Sequence, residues 1–320
     1  MDISDNDNTY HIPVMLKEVL DALEPKAGGI YFDGTLGGGG HSAGIMDTGA
    51  SLIATDRDDS ALAFASKRFE AEQKYNGLYK LVKSDFKDYN TVLNSVKIDK
   101  VDGVVLDLGV SSYQIDTVET GFSYRIDGPL DMRMDRSGGR TAYDIINDYS
   151  EKELVKIFFE YGEERFSRKI AAKIINSRKV SPIKSTLELA ELIKSCVPYN
   201  FKDGHPAKRI FQAVRIEVNG ELDRLSEAIE GLVGRLKTGG RIAVISFHSL
   251  EDRITKNILR KLATNCLCDK SLPVCVCGHK ASVKLLGKYK AGKEELERNS
   301  RAKSATLRVA EKVSTNLRRG

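Results

Sequence analysis

The sequence predicts an α/β protein whose sheet is doubly wound and mostly parallel, interrupted by an inserted all-helical domain. Three observations predict it. A short apolar strand, Ile30–Asp33, runs into the glycine stretch Gly37-Gly38-Gly39-Gly40 and then into a helix. Further apolar runs, Leu52–Asp56, Leu81–Lys83 and Val101–Leu108, alternate with helical patterns, as strands buried on both faces do. From Thr141 to about Arg215 that alternation stops and the segments carry helical spacing.

The elements follow in order. Pro13 suits a helix start, and Leu16, Val19, Leu20 and Leu23 have helical spacing. Ala61–Phe69 reads as the crossover helix between the second and third strands. Gly109 to Gly139 is long, glycine-rich and without a period, which marks a functional or flexible loop. The insertion offers helices at Glu151–Phe159, Glu163–Arg178, Leu187–Cys196 and Ala207–Val218. The α/β pattern returns near Leu236, with strands at Ile242–Phe247 and Ser304–Val309. Ser249, with Asp252 three residues on, resembles a capping box opening a helix that reaches Ile254–Leu262. The expected domains are residues 1–140, an insertion over 141–215, and the remainder of the sheet domain over 216–320.

Composition narrows the function. A chain of 320 residues, 41% hydrophobic and 30% charged, can bury a large core and reads as globular. A net charge of only +5 means that any nucleic-acid footprint must be local. No apolar run approaches the ~20 residues a membrane helix needs. The start, Met1 to Asn8, is polar and acidic and does not read as a signal peptide, so the expected location is cytoplasmic. Four of the five cysteines share one short segment, which suggests metal binding more than a disulfide framework.

Strand, glycine turn, helix, strand and acid is the layout of a nucleotide-binding half. Glycines allow close backbone approach to a ligand. Asp56 lies about twenty residues past the loop, where an acid can hold a ribose diol. Gly38, Gly40 and Ala43 give only the weaker G-x-G-x-x-A spacing for a dinucleotide. Asp33 at the loop mouth would repel a pyrophosphate and suit a cationic ligand such as S-adenosylmethionine (SAM). Asp33, Asp56, Asp85 and Asp107 all fall at strand ends, where ligands of such sheets bind. The bland alternative is a glycine turn that holds no ligand.

Several longer motifs carry a resemblance. They are Asp33-Gly34-Thr35 with the Gly39-Gly40-His41 end of the loop, Leu106-Asp107-Leu108-Gly109-Val110-Ser111-Ser112, Gly121-Phe122-Ser123 and Asp127-Gly128-Pro129-Leu130-Asp131-Met132-Arg133-Met134. Tyr161-Gly162-Glu163-Glu164-Arg165-Phe166, Phe211-Gln212-Ala213-Val214-Arg215-Ile216 and Ser246-Phe247-His248-Ser249-Leu250-Glu251-Asp252-Arg253 complete the set. Together they resemble the bacterial small-subunit (16S) rRNA cytosine-N4 methyltransferases, the RsmH/MraW family, over roughly residues 9 to 311. The resemblance implies a SAM-dependent methyltransferase sheet with an inserted substrate domain, and methylation of a cytidine N4 in the decoding region of 16S rRNA. It implies cofactor contacts from Gly39, Gly40, His41, Asp56, Phe86, Asp107 and Gln114. The partner would be 16S rRNA within the small ribosomal subunit, with no membrane and with a homodimer among the allowed assemblies.

The chemistry needs few groups. The N4 lone pair is delocalised into the ring, so an acceptor on the amino hydrogens would help the nitrogen attack. Asp107 is the catalytic candidate, although Asp107-Leu108-Gly109 departs from the Asp/Asn-Pro-Pro-aromatic form of many amino methyltransferases. Two other classes stay open: an NAD-dependent oxidoreductase, disfavoured by Asp33, and a non-catalytic RNA-binding assembly protein on a SAM fold.

Local basic rows suit RNA or simply solvated faces: Arg165, Arg168, Lys169 and Lys173 at helical spacing, and Lys208, Arg209 and Arg215 on a later helix. Cys266-x-Cys268 and Cys275-x-Cys277, with His279 as a substitute ligand, offer the ligands of one structural zinc. Reduced surface thiols are the competing reading.

Overall fold

The computed structural model describes residues 13–197 and 204–314 apart from 270, 271 and 273, and the polar start Met1–Asn8 lies outside them. The chain forms two compact units, residues 1–109 with 224–320, and residues 110–223. The expected boundaries at 140/141 and 215/216 followed the helical periodicity. The second unit begins earlier because the loop after Gly109 packs into its core.

In the first unit, α1 (Leu16–Leu23) leads to β1 (Ile30–Asp33), α2 (Gly40–Met46), β2 (Ser51–Asp56), α3 (Asp59–Glu70), β3 (Tyr79–Lys83), α4 (Tyr89–Ser95) and β4 (Val101–Asp107). The second unit holds α5 (Ser112–Asp116), α6 (Ala142–Asp148), α7 (Glu151–Glu160), α8 (Ser167–Arg178), α9 (Thr186–Cys196) and α10 (Ala207–Asn219). The first unit resumes with α11 (Leu225–Gly234), β5 (Leu236–Ser246), α12 (Ser249–Leu262), β6 (Val283–Tyr289), α13 (Lys293–Arg298) and β7 (Thr306–Lys312).

The strands form one sheet in the order β3-β2-β1-β4-β5-β7-β6. β1 to β5 run parallel, and β7 lies antiparallel between β5 and β6. β1 and β4 are central and almost wholly buried, which is why they read as continuous apolar runs. Chain order reverses beside β1, so β1 and β4 flank the switch point where open sheets bind ligands. β6 was not anticipated. It is an edge strand with exposed Lys284 and Lys288, charges that blunt an edge and erase its apolar signal.

The helical unit has its own core. Leu154 and Phe158 from α7, Ile170 and Ile174 from α8, Leu189 and Ile193 from α9, and Ile210 and Val214 from α10 are all buried. Phe122, Leu130 and Met132 of the long loop join them, so this loop is packed rather than loose. Asn219 grips it twice, donating from Nδ2 to the Met132 carbonyl (2.7 Å) and accepting at Oδ1 from the Met134 N–H (2.8 Å). The expected helix Glu163–Arg178 is shortened. Glu163 sits at φ 49°, and Glu164 Oε1 accepts from the Phe166 N–H, so α8 begins only at Ser167. Arg165 therefore precedes the helix.

Gly121 is a sharp test of that packed loop. Its φ is +70°, and a Cβ there would meet the Pro129 carbonyl oxygen at 2.0 Å. Gly121→Ala is expected to cost about 2–4 kcal/mol by denaturant unfolding, from backbone strain plus overpacking. Gly138→Ala, with nothing within 4 Å of the added carbon, should stay within about 0.5 kcal/mol of wild type. Equal costs at the two positions would contradict a packed loop.

Candidate active site

The carboxyl ends of β1, β2 and β4 bring three aspartates to one edge of the sheet. The turn after β1 is built around the first of them. Asp33 is 1% exposed; its Oδ1 accepts from the Thr35 N–H (3.0 Å) and its Oδ2 from the Ser42 hydroxyl (2.6 Å). Burial raises its pKa to about 6, against which these two donors work. Gly34 is required here, since a Cβ would strike Leu106 at 2.4 Å and the Phe86 Cβ at 2.7 Å.

Asp56 closes β2. Its Oδ2 accepts from the Gly37 N–H (2.8 Å), and its Oδ1 from the Asp58 N–H (2.9 Å). With a further backbone donor at Arg57, the carboxylate is fixed from the main chain before any ligand arrives. Burial again raises its pKa.

Asp107 ends β4 in a less satisfied state. Its N–H donates to Thr35 Oγ1 at 2.6 Å, which locks the strand end to the turn. Its Oδ1 is buried with no hydrogen-bond partner. Its Oδ2 is 3.7 Å from His41 Nδ1, while the other ring nitrogen of His41 lies 3.0 Å from the Val14 carbonyl and so carries the proton. Burial raises the Asp107 pKa well above the carboxylate range, and Asp33, Glu251 and Glu295 push it the same way. Asp107 is thus buried under the combined repulsion of three other acids. A cation beside it would relieve that repulsion.

The supporting acids were not singled out from sequence. Glu251, 2% exposed, accepts from the N–H groups of Phe247 (2.8 Å) and His248 (3.2 Å) at the start of α12. His248 is thus the N-cap and Glu251 its partner, one residue earlier than the expected Ser249 and Asp252. Glu295 of α13 accepts from the Met15 N–H (2.7 Å), capping α1 from far along the chain. Within Ser246-Phe247-His248-Ser249-Leu250-Glu251, the Glu three residues after His248 was the available signal.

A family model described as the MraW methylase family matches residues 8–313. The chain belongs to that family. Its relatives include the proteins named ribosomal RNA small subunit methyltransferase H from Carboxydothermus hydrogenoformans, 49% identical, and from Caldicellulosiruptor saccharolyticus, 51% identical. Each alignment covers 95% of this chain, and 98% and 99% of the respective relative. The protein of that name from Clostridium botulinum is 48% identical over 95% of this chain and 99% of its own length.

In this MraW-family chain the expected cofactor residues divide into two groups. His41, Asp56, Phe86 and Asp107 all belong to the first unit, and Phe86 lies against the turn at Gly34. Gly39 and Gly40 are in the same turn, but their missing side chains accommodate protein: a Cβ would meet the Phe69 ring at 2.7 Å and Pro13 at 2.7 Å. Gly37 makes the polar contact instead, through Asp56. Gln114 belongs to the second unit, where its Oε1 accepts from the Ser111 N–H (3.0 Å) in a capping box.

Asp33→Asn isolates the electrostatic cost. The folded pKa of about 6 lies above the ordinary 3.8, so the folded chain holds a proton that the unfolded chain releases in that window. Stability therefore falls as pH rises through the window, and the whole penalty is present above it. The amide can keep both hydrogen bonds. The ligand-free variant should be more stable than wild type by on the order of 1–3 kcal/mol near pH 8 and about equal near pH 4 by urea unfolding. A variant less stable at the alkaline end would sink this account.

Proposed function

We propose that the chain transfers a methyl group from SAM to the exocyclic N4 of a cytidine in the decoding region of 16S rRNA. The observation that carries this reading is the unpartnered, buried Asp107 Oδ1 within a cluster of acids at the switch point, in a chain of the MraW methylase family. The residues present fit SAM: Asp56 for the ribose hydroxyls, the Phe86 ring for adenine, and Asp33 and Asp107 for the cationic end. When bound, SAM supplies an electrophilic methyl group on a positively charged sulfur. A dinucleotide pyrophosphate would instead add negative charge beside Asp33, which disfavours the oxidoreductase reading.

In this reading Asp107 accepts a hydrogen bond from the cytosine amino group and takes up its proton as the nitrogen attacks. Its raised pKa makes the empty carboxylate scarce but basic. Thr35, bonded to the Asp107 N–H, holds the strand end that carries this carboxyl, and His41 stands beside Oδ2. The base must leave its stack to reach a pocket of this kind.

RNA contact belongs to the helical unit. Arg165, Arg168, Lys169, Lys173 and Lys208 are exposed and available to phosphates. Arg215 is not, because Glu221 takes it in a bidentate pair of 2.8 and 2.9 Å. Arg209 stands 4.0 Å from Glu164. The expected basic row is thus narrower than the sequence suggested. Among the described residues no helix is long and apolar enough to cross a membrane. The proposed setting is the cytoplasm and the substrate the small ribosomal subunit, with the chain a monomer or homodimer that light scattering would distinguish.

The direct test is transfer of labelled methyl from SAM to small subunits from cells lacking this chain, followed by nucleoside analysis. N4-methylated cytidine is expected, and label in any other nucleoside would refute the assignment. Asp56→Ala should weaken SAM binding by ~1.5–3 kcal/mol, and unchanged affinity in a folded variant would remove Asp56 from the site. For wild type, single-turnover methylation should rise with pH through the Asp107 titration. Asp107→Asn should be slow and lack that limb. Arg168→Glu with Lys173→Glu should weaken subunit binding and flatten its salt dependence while leaving SAM affinity unchanged; methylation kinetics equal to wild type would mean a merely solvated face.

A further inference from the structure

We infer that Cys266, Cys268, Cys275 and Cys277 hold one structural zinc ion in a clasp remote from the acid cluster. Their four sulfurs lie within 4.8 Å of one another. Cys275 Sγ is 3.3 Å from Cys266, 3.9 Å from Cys268 and 3.6 Å from Cys277, and Cys277 is 3.8 Å from Cys266. A tetrahedron of thiolates about 2.3 Å from zinc has edges of about 3.8 Å. A disulfide needs about 2.05 Å, and all four cysteines are free.

The loop around them is built inside out. Its apolar side chains face water: Val274 is 70% exposed, Val276 79% and Leu267 47%. The thiols converge instead. Hydrophobic burial therefore cannot account for this conformation, whereas a bound metal can. Backbone N–H groups already point at sulfur, from Leu267 to Cys277 (3.3 Å), from Val276 to Cys268 (3.3 Å) and from Cys268 to Cys266 (3.4 Å). Such donors stabilise thiolate over thiol. His279, the substitute ligand expected from sequence, is otherwise engaged, its Nε2 lying 3.0 Å from the Lys261 carbonyl. In binding, four S–H bonds give way to four Zn–S bonds, four protons pass to water, and nothing is oxidised or reduced.

The base of the loop is fastened. The Ser282 N–H donates to the Leu262 carbonyl (2.8 Å) and the Val313 N–H to that of Ser282 (3.0 Å), joining α12, β6 and the end of β7. Glu311 near that end pairs with Arg241, whereas Thr306 pairs with Ser246. The clasp therefore sits toward the edge of the sheet opposite the carboxyl ends of β1, β4 and β5. Its role is to secure the α12–β6 connection and the β6 edge.

The test uses the untagged full chain, purified without chelator. Elemental analysis should find about one zinc per chain, released by a mercurial thiol reagent. Cobalt exchanged for zinc should give the intense visible bands of tetrahedral thiolate ligation. The metal-loaded native chain should protect its four clasp thiols from a thiol reagent, and zinc removal should expose all four and open trypsin cleavage after Lys280. Cys275→Ser with Cys277→Ser should lower zinc content to about a tenth or less. The cobalt spectrum decides the matter in wild type should that variant fail to fold. Metal-free protein with four freely reacting thiols, or with two disulfides, would overturn the proposal.

Discussion

The structure turns on the burial of carboxyl groups at one end of the sheet, with like charges added around Asp107. Asp33 and Asp107 end neighbouring parallel strands, and Glu251 and Glu295 approach from helices of the same unit. Ionising Asp33 and Asp107 away from water is unfavourable. The fold sustains the arrangement by tying each acid to backbone or hydroxyl donors: Thr35 and Ser42 for Asp33, Gly37 and Asp58 for Asp56, and Phe247 and His248 for Glu251. One carboxylate oxygen is left over, Asp107 Oδ1. Stability sacrificed at one point of a rigid sheet is what a site preorganised for a cation requires.

The same acids also hold secondary structure. Glu295 supplies the N-terminal partner that α1 lacks, since Met15 at its N-cap has no side-chain acceptor to offer. Glu251 caps α12. Thr35 links the turn after β1 to the last residue of β4. A ligand that changed the charge at Asp107 would thus be felt by two helix starts and by the turn after β1, whose Gly37 holds Asp56.

Much of this was legible in the sequence. The central strands announced themselves because burial on both faces leaves no room for polar residues, and Ile30–Asp33 was read to its end residues. Asp33, Asp56 and Asp107 were legible as acids following apolar runs. What escaped depends on contacts distant in sequence. Glu295 meets Met15 from the far end of the chain, and no local pattern predicts that. β6 was hidden by its edge lysines. The helix break before Ser167 rests on Glu163 in a left-handed conformation, which periodicity cannot register. At Gly39 and Gly40 the packing reason for glycine, Phe69 and Pro13 where a Cβ would stand, was equally out of reach of local pattern. The basic row lost Arg215 to Glu221, an ion pair formed where the chain turns past the end of α10.

The central claim is that Asp33 and Asp107 hold protons in the free protein and surrender them to a cationic ligand. Calorimetric titration with SAM in buffers of different ionisation enthalpy measures this directly. Near pH 6, where Asp33 titrates in the free chain, binding should release protons to the buffer, and affinity should rise with pH. Asp33→Asn should reduce the release. Binding with no proton release at any pH, and with affinity independent of pH, would contradict the account.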